Sequence, residues 1–327
     1  MKTSLACLLL SVLPAAAEPF EFLVMGCMPY HFPADAARFE NVIETANGAA
    51  PAFSVHCGDV KFGRMLNDDA SLLRVKAWFD RFEQPLVYVP GDNEWTDSHT
   101  PVAGGYDPLE RLAFVRRLFY PGEARSLGRT SLPLVRQNAQ ADFADYVEHQ
   151  RWQRAGLVFA TLHVVGSNNN RREDDAAAMA EFAARDRAVL AWLRDSFAAA
   201  ADAKALVLFL QANPFHETLH GEPRDTGFAN FVPALREQVR GYGKPVYLFH
   251  ADSHYFRIDK PLTSATGRTI ENFTRIETFG GLNLHLIRVQ VDPQAAEPLR
   301  AFPWLLEKNR VDPDTPSPGK PAKPAAK

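Results

Sequence analysis

A chain of 327 residues that is 46% hydrophobic and 23% charged has the proportions of a folded protein with a large core, which excludes collagen-like, wholly disordered and polytopic membrane classes. Its 36 basic and 39 acidic side chains leave a formal net charge of −3, so the overall balance gives no reason to expect nucleic acid or an anionic membrane as a partner.

Taken from the amino terminus, Lys2, the apolar run over residues 5–14 and Ala15-Ala16-Ala17 form the pattern of a secretory signal peptide covering residues 1–17. The run is too short to be a lasting membrane anchor. The expectation is a periplasmic or secreted protein with no membrane contact after cleavage. Residues 20–26 (FEFLVMG) then read as a strand, 35–46 as a helix, 52–57 as a strand, 71–82 as a helix and 86–89 as a third strand. Further on, 157–165 and 205–210 are strand-like apolar runs separated by a helical pattern over 181–199, and strands follow at 245–249 and 284–291. This alternation predicts an α/β fold with a largely parallel sheet covered on both faces. One domain is expected over residues 18–311, followed over 312–327 by a Pro-, Ala- and Lys-rich tail with no apolar periodicity, which reads as disordered.

The turn chemistry at the strand ends is the informative detail. The first three strands end in Gly26-Cys27, Gly58-Asp59 and Gly91-Asp92, and a later one in Ala251-Asp252-Ser253-His254. Small residues let the backbone turn sharply there and present the next side chain at the carboxyl edge of the sheet, which is where ligands bind in open α/β sheets.

In motif order and spacing, residues from about 20 to 291 resemble the calcineurin-like metallophosphoesterases, whose strands end in Asp-x-His, Gly-Asp, Gly-Asn-His-Asp/Glu, an isolated His and Gly-His-x-His. The resemblance implies a four-layer α/β/β/α sandwich and hydrolysis of a small phosphate ester by a metal-activated hydroxide. Within it, Cys27 and Pro29 stand where the family has Asp and His, and Asp59 matches the bridging carboxylate. Asp92 replaces the ligating Asn, and Asn93 replaces the His that assists the leaving group. Ala212 and its neighbours fill the position of the isolated His, while Asp252 replaces one His of the last motif and His254 keeps the other.

The implied ligand set is Asp59, Asp92, Asp252 and His254, with Cys27, and with Gln211 or Asn213 as a weak addition. An oxygen-rich set with one imidazole favours Mn²⁺, Mg²⁺, Ca²⁺ or iron over Zn²⁺, whereas a Cys27 thiolate tilts the choice towards a softer ion. One or two ions are implied; because Pro29 and Ala212 cannot ligate, a mononuclear or weakly loaded site is expected. Asn93 and His99 are the candidate catalytic residues, His99 reaching in from the loop after Trp95. The alternative is a non-catalytic exported binding protein on the same fold. His56 and His250 read as core or supporting groups.

Three further features complete the reading. Cys27 and Cys57 end neighbouring strands, within disulfide reach if their side chains converge. His216-Glu217-Thr218-Leu219-His220 matches the zinc-peptidase pattern, but Pro214 before it and Gly221 with Pro223 after it leave no room for a supporting helix. Asn168-Asn169-Asn170, beyond a strand end, is a polar turn that could point into the site but is assigned no role.

Overall fold

Strand β1 (Phe20–Met25) divides its side chains between two cores, Phe22 and Val24 facing one and Leu23 and Met25 the other. A strand that is apolar on both faces must be covered on both. In this computed structural model, which describes residues 17–215 and 227–314, one face meets a second sheet and the other meets helices.

The first sheet places β1 beside β2 (Ser54–Cys57) and β2 beside β3 (Leu86–Val89), all parallel. On its other side β1 pairs antiparallel with β11 (Leu286–Val291), and β11 with β12 (Leu299–Trp304). Its outer face carries α1 (Ala36–Ala49), α2 (Asp69–Phe79) and α3 (Pro108–Phe119), whose Phe39, Val42, Leu72, Val75, Val115 and Phe119 pack on Leu23, Met25 and Leu86. The start of α3 is fixed locally, with the Asp107 carboxylate accepting the Leu109 amide and Pro108 in the first turn.

The second sheet runs β4 (Val135–Arg136), β5 (Gln150–Arg154), β6 (Leu157–Thr161), β7 (Ala205–Phe209), β8 (Val246–His250), β10 (Phe273–Glu277) and β9 (Arg257–Asp259). Its centre, from β6 to β10, is parallel, and the flanking pairs are antiparallel. A single left-handed turn, α4 (Gly166–Asn169), follows β6 and precedes α5 (Ala176–Ala199). Together α5 and α6 (Phe231–Tyr242) cover the outer face through Val189, Trp192, Phe197, Leu235 and Val239. Between the sheets, Phe22, Phe53, Phe159, Phe209 and Phe249 interlock, with Phe22 stacked on Phe53 at 4.9 Å between ring centroids. The architecture is an α/β/β/α sandwich.

This is the four-layer arrangement the resemblance implied, whereas the single largely parallel sheet read from the strand–helix alternation is replaced by two mixed sheets. β12 was hidden because most of its residues are partly or fully exposed, and the two- and three-residue strands β4 and β9 are too short to show alternation. The strand expected over 157–165 leaves the sheet after Thr161. Residues 1–16 of the expected signal segment, the His216–His220 motif and residues 315–327 of the tail lie outside the described residues. No helix among those described is long and apolar enough to cross a membrane.

Candidate functional site

The carboxyl ends of β1, β2, β3 and β8 converge, and the backbone there is unusual. Of the ten non-glycine residues with left-handed φ among those described, four are Cys27 (51°), Asp59 (58°), Asp252 (84°) and His254 (60°), and four more run from Ser167 to Asn170. Each such residue costs about 1–2 kcal/mol relative to a right-handed conformation, and strain of this kind concentrates at functional sites. Gly91 permits the convergence, since a Cβ there would lie 2.1 Å from Oδ1 of Asp59. Gly280 does the same on the far side, where a Cβ would lie 2.6 Å from the Cβ of Cys27 and 2.7 Å from Cδ2 of His254.

Two groups of potential ligand atoms result, and Asp59 belongs to both. Atoms of Cys27, Asp59 and His254 lie within 4.8 Å of one another, as do carboxylate oxygens of Asp59, Asp92 and Asp252. Asp59 is held from several directions: its Oδ2 accepts the Cys27 thiol at 3.4 Å and the Gln211 amide at 3.1 Å, and its Oδ1 accepts the Asn93 backbone N–H at 3.3 Å. The Ser167 hydroxyl lies 2.8 Å from Oδ2 of Asp92 and 2.7 Å from Oδ1 of Asp97, and the Asn213 N–H donates to Asp252 at 2.9 Å. The His254 ring stands edge-on to Tyr30, 4.7 Å between centroids.

Burial and mutual repulsion set the electrostatics. Asp59 is held well above the usual carboxylate range by burial and by the charges of Asp92, Glu94 and Asp252, and Asp92 is raised by burial and Asp252. Burial pushes the Cys27 thiol up and the His254 imidazole down to about 4. The fully buried Lys61 ammonium is the nearby counter-charge, tied to the carbonyls of Phe62 and Met65 at 3.2 Å. Three carboxylates in this space call for a cation. Oδ1 of Asp92 and Nε2 of His254 are both buried without a hydrogen-bond partner, which unligated polar atoms rarely are. The residues therefore fit a divalent ion.

The structure brings together Asp59, Asp92, Asp252, His254 and Cys27, with Asn93 beside them. Tyr30, Asp59, Phe62, Asp92, Asn93 and Asp252 are among the residues lining a cleft of about 450 Å³. His99 is not among them: its exposed ring turns back to the Thr96 carbonyl at 2.7 Å, because a short 3₁₀ segment (Thr96–His99) folds the loop on itself. Gln211 and Asn213 serve as hydrogen-bond donors to Asp59 and Asp252. His56 and His250 sit in the core, bonded to the carbonyls of Met28 and Ala251.

The disulfide left open by the sequence is absent from the structure: both Cys27 and Cys57 are free. Because Met25 pairs with His56, Cys57 stands level with Gly26, while the Cys27 N–H bonds the Gly58 carbonyl and its thiol turns to Asp59. Sequence reasoning missed Tyr30, Lys61, Asp97 and Ser167. It assigns Asn168-Asn169-Asn170 no role, and it is Ser167, just before them in the same turn, that touches Asp92.

No family model matches the chain, nor does any curated protein sequence. Among solved structures it is similar to GAP50, the anchor in the inner membrane complex of Plasmodium (9% identity, TM-score 0.48, 88% of this chain and 89% of that one). It is also similar to a dimetal phosphatase from Danio rerio (11%, 0.49, 87% and 99%). A third is the purple acid phosphatase PPD1 of Lupinus luteus (10%, 0.47, 88% and 54%). At such distances these likenesses carry no functional weight; the site's own geometry does.

Proposed function

We propose that the chain is a divergent metal-dependent phosphoesterase acting on small phosphate esters. The observation that carries this is the sharing of Asp59 between two groups of ligand atoms, each within 4.8 Å, at one edge of the sandwich. Asp59, Asp92, Asp252, His254 and Cys27 would hold one or two divalent ions, which when bound supply Lewis acidity to a phosphoryl oxygen.

The chain's own residues narrow the substrate. The Asn93 amide donates to the Tyr30 hydroxyl at 3.2 Å, which fixes its orientation and leaves its second N–H free for a bound ester. An amide can hydrogen-bond a leaving oxygen but cannot protonate it, which forgoes the roughly 10²–10⁴-fold contribution of a general acid. His99, turned back to Thr96, does not supply that proton. Esters whose leaving group departs as a stable anion, such as aryl phosphates, are therefore favoured over alkyl phosphates. The amino-terminal signal pattern supports action outside the cytoplasm.

The test is hydrolysis of para-nitrophenyl phosphate and of an alkyl phosphate by the Mn²⁺-loaded protein, with Asp59→Asn alongside. Aryl phosphate turnover that Asp59→Asn abolishes is expected. Ions retained with neither ester hydrolysed would overturn the enzyme reading and leave a metal-binding protein.

A further inference from the structure

The two halves of the centre differ in chemistry. One half offers a thiol, an imidazole and one carboxylate; the other offers carboxylates alone. We infer that the site is built for two unlike ions, a thiophilic one (Zn²⁺, Co²⁺ or Fe²⁺) at Cys27, His254 and Asp59, and a hard one (Mn²⁺ or Mg²⁺) at Asp59, Asp92 and Asp252. The inference deepens the metal-dependent reading and rests on it.

Ligand softness assigns the halves: thiolate and imidazole select the former ions, and carboxylate oxygens the latter. The surroundings agree. The Sγ of Cys27 receives the Asp252 backbone N–H at 3.3 Å, a bond of the kind that steadies and tunes a thiolate ligand. The His254 ring is fixed edge-on against Tyr30 and backed closely by Gly280 and Gly281, while its buried Nε2 has no hydrogen-bond partner. The hard half has its own such atom, Oδ1 of Asp92, on a residue only 7% exposed. Each half thus has one buried atom without a partner. On binding the soft ion, the Cys27 proton leaves to solvent.

The experiment titrates the chelator-stripped protein with Co²⁺ alone, following near-ultraviolet absorbance and, by calorimetry, the bound ion. A thiolate-to-Co²⁺ charge-transfer band that saturates at one equivalent is expected, lost in Cys27→Ser and retained in Asp92→Asn. Co²⁺ affinity should fall at least tenfold in Cys27→Ser. Should that variant not fold, competition on the wild type decides: Zn²⁺ should bleach the band and Mn²⁺ should leave it. Co²⁺ bound with no thiolate band, or a band that Mn²⁺ bleaches as readily as Zn²⁺, would overturn the partition and leave the phosphoesterase reading standing. Absence of any bound Co²⁺ would overturn the partition, and Mn²⁺ failing to bind as well would overturn the metal-dependent reading.

Discussion

The thiol of Cys27 lies 3.4 Å from Oδ2 of Asp59, the same oxygen that accepts the Gln211 amide. Cys27 is thereby committed to the carboxylate cluster, one residue out of register with Cys57. Alkylation after denaturation without reductant should label both the Cys27 and the Cys57 peptides. A joined pair, resistant to label until reduced, would contradict this arrangement.

Asp59→Asn removes one of three mutually repelling carboxylates, the one that belongs to both ligand groups. The ion-free variant should be at least as stable as the ion-free wild type in chemical denaturation. The rise in melting temperature that Mn²⁺ gives the wild type should disappear. A variant that keeps that rise would place the ion elsewhere.

The pH dependence of ion-free stability follows from the raised carboxyls of Asp59 and Asp92. A folded-state value above the unfolded one gives a contribution that is present below the ordinary carboxylate range and lost as pH rises through the raised value. The ion-free protein therefore loses this contribution as pH rises from the ordinary carboxylate range through about 8, the value to which Asp92 is raised, and a bound cation cancels the repulsion responsible. The Mn²⁺-induced rise in melting temperature should be several degrees larger at pH 8 than at pH 5, since about 1 kcal/mol shifts a domain of this size by roughly 2–4 °C. Equal rises at the two pH values would sink the electrostatic account.

Arg185 holds the left-handed turn that carries Ser167 to Asp92. Fully buried, it donates to Oδ1 of Asn169 at 2.5 Å, to the Asn169 carbonyl at 2.8 Å and to the His163 carbonyl at 3.0 Å, and it pairs with Glu181 at 2.7 Å. Arg185→Ala strands Glu181 and frees the turn, and should cost about 3–5 kcal/mol. Arg185→Lys restores the charge but not the planar fork, so it should recover only part of that loss. Recovery to wild-type stability by lysine would show that charge alone is what the turn needs.

His99 and Asn93 should separate cleanly. His99→Ala should leave aryl phosphate turnover within about twofold, because the exposed ring faces the Thr96 carbonyl rather than the cleft. Asn93→Ala should reduce kcat by roughly tenfold or more, by removing the group set beside Tyr30. A large loss in His99→Ala would mean that the loop closes over the substrate.

Which residues end the strands is legible from local pattern alone. A glycine or alanine followed by Cys27, Asp59, Asp92 or Asp252 is a local pattern, and it marked residues that the structure brings together because sharp turns and short polar side chains are local chemistry. Tertiary structure decided the rest. That β1 lies between β2 and β11 depends on pairing across more than 260 residues, which no local periodicity encodes. The roles of Cys27 and Ser167 were likewise invisible, because each depends on a left-handed backbone maintained by distant partners: Gly280 beside Cys27, and Arg185 beneath the turn. The histidine expected to act, His99, sat in a segment with no apolar pattern to fix its direction, and one hydrogen bond to Thr96 turned it away.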